Sequence, residues 1–169
     1  MMRHKVLFVC TGNICRSPTA EGVARALSAQ RGVEHLYEFD SAGTHGNHVG
    51  KPPDPRAVAA AMRRGYDLAP LRARRVTEFD FVRFDYLLAM DCQHLEFLQH
   101  ACPPEHRKKL GLFLNFSESF DLDEVPDPYY GGAQGFEHVL DLVEDAAIQL
   151  ILRLISNHKD TAPGITPGT

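Results

Sequence analysis

No stretch of these 169 residues approaches the roughly 20 consecutive apolar positions that a membrane span needs. The chain starts with basic residues, Arg3, His4 and Lys5. The apolar run that follows, Val6-Leu7-Phe8-Val9, is too short for the core of a secretory signal and leads into a polar turn. These absences point to a soluble, cytoplasmic protein with no membrane partner. Cysteine is scarce: four in a chain of this size do not make a disulfide scaffold, and a reducing compartment leaves them available for chemistry. Excess positive charge is missing too, since 18 Lys and Arg face 22 Asp and Glu. With a formal net charge of −4, the overall field does not favour nucleic acid, and any anion must be bound locally. The nine histidines are scattered; His45 and His48 lack a third ligand, and Cys92, His100 and Cys102 read as ordinary thiols and a neighbouring imidazole. No metal and no other cofactor is expected, and there are no internal repeats.

What is present fits one globular domain, with 44% hydrophobic and 24% charged residues. Apolar, β-rich runs at Lys5–Val9, Leu36–Ser41, Asp85–Met90 and Gly111–Phe116 alternate with helical patterns. That order predicts an α/β fold with a central four-stranded parallel sheet and helices on both faces. Ser17-Pro18 reads as a hydroxyl N-cap and first helical residue of a helix reaching Arg31. Asp54-Pro55, Thr77 with Asp80, and Asp91 mark three further helix starts. Phe136, Val139, Leu140, Val143, Ala147, Leu150 and Leu154 recur at helical spacing and predict a long final helix packed on the sheet. The domain is placed at residues 1–156, and residues 157–169, polar with two Pro and two Gly, read as a flexible tail.

The chemistry concentrates in Val9-Cys10-Thr11-Gly12-Asn13-Ile14-Cys15-Arg16-Ser17-Pro18, between the first strand and the first helix. Ligands bind at that end of a parallel sheet. Five residues between Cys10 and Arg16 are enough to wrap a cradle of inward N–H groups that continues into the positive end of a helix, a fit for a phosphate dianion. Gly12 and Asn13 supply unusual backbone angles. Arg16 adds a planar fork that grips two phosphate oxygens, and it joins the N–H dipoles in favouring a Cys10 thiolate.

The segment VCTGNICRSPTAE resembles the phosphate-binding loop of the low-molecular-weight protein tyrosine phosphatases. SAGT from Ser41, PPD from Pro52, RARRVTEFDF from Arg72, FDYLLAMD from Phe84 and VPDPYYGG from Val125 stand in that family's order. The resemblance implies a phosphotyrosine hydrolase with Cys10 as nucleophile, Arg16 as phosphate clamp and Asp127 as general acid. It assigns Thr11, Gly12, Asn13, Ile14, Cys15 and Ser17 to the phosphate loop, with Ser17 bonded to the thiolate and Asn13 bracing the loop. Tyr129 and Tyr130 would flank the substrate ring, and such tyrosines are phosphorylated in some members. Leu71 stands where the family pattern has a histidine that supports the Asn13 position, so Ser41 or a water takes over that bond, or the loop is less rigid. Asn47 and His48 occupy the entrance stretch where the family often has an aromatic. Ile14 matches the tyrosine-specific type of loop rather than the threonine associated with phosphoarginine.

The implied partner is a tyrosine-phosphorylated protein, including a bacterial tyrosine kinase, and the implied state a monomer or weak dimer. By the same resemblance Cys15 lies close enough to Cys10 for a protective disulfide. Arg63-Arg64 and Arg72 to Arg75 read as solvated faces, the second able to attract acidic residues of a phosphoprotein. Two other functions fit the loop: a thiol-linked arsenate reductase, which needs downstream resolving cysteines, and a noncatalytic anion-binding or redox-sensing module, which has no use for Asp127.

Overall fold

The computed structural model describes residues 2–160. Strand β1 (His4–Cys10) lies between β2 (Tyr37–Gly43) and β3 (Tyr86–Ala89), and β4 (Leu110–Leu112) pairs with the outer side of β3. All pairings are parallel, with Cys10 beside Gly43 and Val9 beside Ala89. Helices α1 (Arg16–Gln30), α2 (Pro55–Arg63) and α5 (Ala133–Asp160) contribute to the core on one face of the sheet. On the other face are α3 (Glu78–Arg83) and α4 (Cys92–Ala101). This is the expected single-domain architecture.

The pleat of β1 explains its unbroken apolar run. Val6, Phe8 and Cys10 enter the α1/α5 core, while Leu7 and Val9 enter the core of Phe81, Phe84 and Leu98. Both faces are covered, so no position is left for a polar residue. Phe8 meets Phe113 edge-on at 4.9 Å between ring centroids. Each fully buried side chain of this size contributes roughly 1.5–3 kcal/mol over leaving it in water. The chain goes from β1 to β2 on one side and then to β3 on the other, which opens a crevice beyond the carboxyl ends of β1 and β3. The residues that follow those ends are the loop from Thr11 and the turn at Asp91.

Three helix starts match the sequence. Asp54 accepts from Arg56 N–H at 2.8 Å with Pro55 as first residue of α2. Thr77 and Asp80 form a capping box on α3, and Asp91 accepts from His94 N–H at 3.0 Å on α4. The start of α1 corrects the expectation: the residue before the helix is Cys15, with no side-chain cap, and Ser17 lies inside the helix. Its hydroxyl is drawn instead to Cys10. The fourth strand is also shorter than expected. After Leu112 the chain tightens into a 3-10 turn, Phe113–Phe116, that turns Phe113 and Leu114 into the core. Three of the arginines read as solvated are engaged in ion pairs, Arg63 with Glu137 among them. Arg64 pairs with Glu137, Asp141 and Glu144 of α5, and Arg74 with Asp40 and Asp80. Helix α5 buries all seven periodic residues and runs to Asp160, past the expected boundary at 156. The rest of the tail, residues 161–169, lies outside the described residues. Among the described residues no helix is long and apolar enough to cross a membrane.

Candidate active site

The loop after β1 is held from outside by its carbonyls. Thr44 N–H donates to Cys10 O (2.9 Å), His45 N–H to Thr11 O (3.0 Å) and Asp54 N–H to Ile14 O (2.8 Å). Thr19 donates to Cys15 O from both its N–H (3.3 Å) and its hydroxyl (2.7 Å). In a trans peptide the N–H points opposite the carbonyl, so outward carbonyls turn the N–H groups of Thr11, Gly12, Cys15 and Arg16 to the concave side. The pocket there has a volume of about 240 Å³. An inward ring of N–H groups at the start of a helix binds an oxyanion.

Asn13 makes the bend. Its φ of 57° lies in the left-handed region that only Gly, Asn and Asp visit readily. Its side chain locks that bend: the amide donates to Ser17 Oγ (2.8 Å) and Ser41 Oγ (2.9 Å), and its oxygen accepts from Arg74 N–H (3.0 Å). Ser41, one of the partners expected for Asn13, accepts from that amide and donates in turn to Glu21 at 2.8 Å. Gly12 is not among the positive-φ glycines. A Cβ there would sit 2.8 Å from the His48 ring, which would have to swing aside. At Gly43 a Cβ would sit 2.7 Å from Thr11 O, so only glycine lets β2 pass this close to the loop.

The Arg16 guanidinium is buried and oriented from one edge. Nη1 donates to Asp91 Oδ2 (2.8 Å) and to Val125 O (3.0 Å). Nη2 lies 3.5 Å from His94 Nε2 and 3.8 Å from Asp127 Oδ2. Burial opposes ionisation of Asp91, but His94 N–H, the His94 ring and Arg16 together hold its carboxyl below the usual range. The 125–130 loop is hung on the residue after β3 by Val125 N–H to Met90 O (2.8 Å), and Asp127 lines the pocket. Asp127 Oδ1 accepts from Tyr129 N–H at 3.0 Å, leaving Oδ2 toward Arg16.

Cys10 is 3% exposed, with Sγ 3.0 Å from Ser17 Oγ. Because Ser17 already accepts from Asn13, its hydroxyl acts as a donor, with Cys10 Sγ at 3.0 Å and Ala42 O at 3.5 Å as the acceptors in reach. Cys15 is also buried and free; burial first, then Asp54 and Cys10, push its thiol up to about 12.

The structure brings Cys10, Arg16 and Asp127 to one pocket, with Thr11, Gly12, Ile14 and Cys15 lining its base. Asn47 and His48, together with His45, line one side, and Tyr129 and Tyr130 the other. Asn13 and Ser17 stand behind the loop, not in the pocket. Cys92 is exposed, Cys102 is buried, and neither reaches the pocket. Sequence reasoning missed three residues that support the site: Asp91, read only as a helix cap, and His94 and Glu21, which were not read at all. Glu21 closes the quoted loop motif, and a glutamate on a buried helix turn was its signal. His94 had none, since only the fold brings it under Thr11.

A cysteine at the floor of an oxyanion cradle, opened beyond a parallel sheet, defines the class of cysteine-dependent phosphatases. The family model described as "Low molecular weight phosphotyrosine protein phosphatase" matches residues 5–160, and the chain belongs to that family. It is 46% identical over 154 residues to the low molecular weight protein-tyrosine-phosphatase of Streptomyces coelicolor, covering 89% of this chain and 93% of that one. A protein tyrosine phosphatase structure from Entamoeba histolytica superimposes with a TM-score of 0.89 at 40% identity, covering 92% of this chain and 99% of that one. The YfkJ structure from Bacillus subtilis gives a TM-score of 0.85 at 38% identity, covering 96% and 99%.

Proposed function

We propose that this chain hydrolyses phosphotyrosine in proteins through a cysteinyl-phosphate intermediate, with Cys10 as nucleophile, Arg16 as clamp and Asp127 as general acid. The observation that carries the reading is the convergence on one pocket of Cys10 Sγ, held 3.0 Å from Ser17 Oγ, and the Arg16–Asp127 pair at 3.8 Å. The phosphate dianion sits in the N–H cradle and its oxygens engage Arg16. The Cys10 thiolate attacks phosphorus and a P–S bond forms. The P–O bond to tyrosine breaks, and the electron pair leaves with the phenolic oxygen, which takes the proton of Asp127. In the second step Asp127 removes a proton from water, water oxygen bonds to phosphorus, and the P–S bond breaks. Inorganic phosphate leaves and the thiolate, hydrogen-bonded by Ser17, is restored.

Tyr129 and Tyr130 and the apolar Ile14 suit an aromatic ring between them, which favours phosphotyrosine over phosphoarginine. The distance of Cys92 and Cys102 from the pocket supports a phosphatase over an arsenate reductase. The setting that fits is the cytoplasm, with a tyrosine-phosphorylated protein, such as a bacterial tyrosine kinase, as substrate of a monomeric or weakly dimeric enzyme. The test compares turnover of a phosphotyrosine peptide and p-nitrophenyl phosphate with arsenate reduction in the presence of a thiol donor. Wild type is expected to hydrolyse both esters, and Cys10→Ser to lose turnover while still binding phosphate. Near-normal turnover by Cys10→Ser, or arsenate reduction without ester hydrolysis, would overturn the assignment.

A further inference from the structure

His94 is buried, 2% exposed, on the first turn of α4 beneath the phosphate loop, and the mechanism above does not use it. Its ring touches three groups. Nε2 lies 2.7 Å from Thr11 Oγ1 and 3.5 Å from Arg16 Nη2, while Nδ1 lies 3.1 Å from Asp91 Oδ1, without the alignment of a full hydrogen bond. These neighbours select one tautomer from both ends. A proton on Nε2 would face the N–H groups of Arg16 and leave the Nδ1 lone pair against a carboxylate. A proton on Nδ1 lies beside the carboxylate, 3.1 Å away though not in line with it, and leaves Nε2 as an acceptor. Thr11 must then be the donor, so its hydroxyl is committed to the imidazole and not to a bound anion.

We propose that His94 is a positioning residue of the phosphate loop: its neutral Nδ1–H imidazole accepts from Thr11 Oγ1 and fixes both the loop residue after Cys10 and the Nη2 edge of Arg16. The inference rests on the cradle reading of residues 10–16 given above. Thr11 is where the loop leaves β1, so a displacement there moves the nucleophile's neighbour and the first inward N–H. The charged groups that act on His94 are Arg16 from α1, Asp91 at its own helix start, and Asp127 and Glu124 from the loop before α5. Burial first, and then Arg16, push the ring down to about 4, which keeps it uncharged beside the guanidinium at neutral pH.

Long-range proton–nitrogen spectra of the wild-type protein at pH 7 should show His94 as the Nδ1–H tautomer, with or without inorganic phosphate. An Nε2–H tautomer or an imidazolium would overturn the proposal. In variants, Gln places an amide oxygen at the Nε2 position and Leu keeps only the volume. His94→Leu should lose about tenfold or more in both phosphate affinity and kcat/KM for p-nitrophenyl phosphate, the scale of one lost hydrogen bond to a strained loop. His94→Gln should stay within about threefold of wild type. Thr11→Val should weaken phosphate binding, and adding it to His94→Leu should bring little further loss. Equal losses in the Gln and Leu variants, or additive losses in the double variant, would overturn the proposal. If His94→Leu does not fold, the tautomer measurement and the contrast between Thr11→Val and His94→Gln decide. Failure of wild type to turn over p-nitrophenyl phosphate would sink the phosphatase reading instead, while the tautomer and phosphate-affinity results would still judge His94.

Discussion

Asp127 is anchored through one oxygen, Oδ1, by Tyr129 N–H, while Oδ2 lies 3.8 Å from Arg16 Nη2, beyond hydrogen-bond reach and turned to the pocket. A group held that way acts on one point in the pocket, the place where a leaving oxygen sits over the cradle. Asp127→Asn should therefore lower kcat/KM, which reports only the first step, by roughly 10²–10⁴-fold for aryl phosphates with poor leaving groups and far less for good ones. A leaving-group series measures this; equal losses across the series would make Asp127 structural. Cys15 is the second residue-scale case. Pushed up to about 12, it is a neutral thiol in the resting loop and does not compete with Cys10 as nucleophile. Peroxide should oxidise the Cys10 thiolate to a sulfenic acid, releasing water, and the Cys15 thiol should condense with it to a disulfide, releasing a second water. A thiol reductant should then restore wild type but much less of Cys15→Ser. Equal recovery of both, with no Cys10–Cys15 linkage in peptide mapping, would count against this role.

At the scale of elements, a periodic pattern was readable wherever one environment dictated every residue. Helix α5 crosses the core for its whole middle, so Leu140, Val143, Ala147, Leu150 and Leu154 all had to be apolar, and all are buried. Leu150 is 0% exposed, and Leu150→Ala should destabilise the fold by about 2–5 kcal/mol. For a chain of this length thermal denaturation should register that as a fall in Tm of roughly 2–4 °C per kcal/mol; an unchanged Tm would mean the helix is not anchored there. Edges and site-bound ends were less legible. Strand β4 pairs only with β3 and yields to a 3-10 turn because burying Phe113 and Leu114 outweighs extending an edge. The start of α1 was misread because Ser17, which looks like a cap, is more strongly engaged by Cys10 and Asn13.

Over the whole molecule, buried ionisable groups pull stability in opposite directions with pH. Burial raises Glu21 above the ordinary carboxylate range, against the opposing hydrogen bond from Ser41 and the charge of Arg25. A carboxyl raised on folding contributes stability that is full below its unfolded value of 4.5 and is lost as pH rises through the folded one. His94 has the reverse sign: lowered from 6.5 to about 4, it contributes above pH 6.5 and loses that contribution as pH falls toward 4. Glu21→Gln keeps an acceptor for Ser41 and gives up a pair with Arg25, whose side chain is 57% exposed and so worth little. Relative to wild type, its melting temperature should rise as pH increases above the unfolded value of 4.5, and the difference should vanish below it. A uniform drop across that range, read from melts at each pH, would show that the charge itself is needed.

The sequence by itself determined the sheet and the strand-to-helix loop that carries Cys10 and Arg16, because each depends on local pattern. Asp127 was singled out by the family resemblance of VPDPYYGG, since an Asp-Pro turn alone marks only a loop. Only the tertiary structure decided which groups hold that trio in place. Asp91 reaches Arg16 across 75 positions and His94 reaches Thr11 across 83. Asn13 reaches Ser41 across 28 positions, and Ser41 passes the chain of bonds on to Glu21. Such contacts leave no periodicity in the chain, since they arise where parallel strands, joined by long crossovers, bring their carboxyl ends side by side.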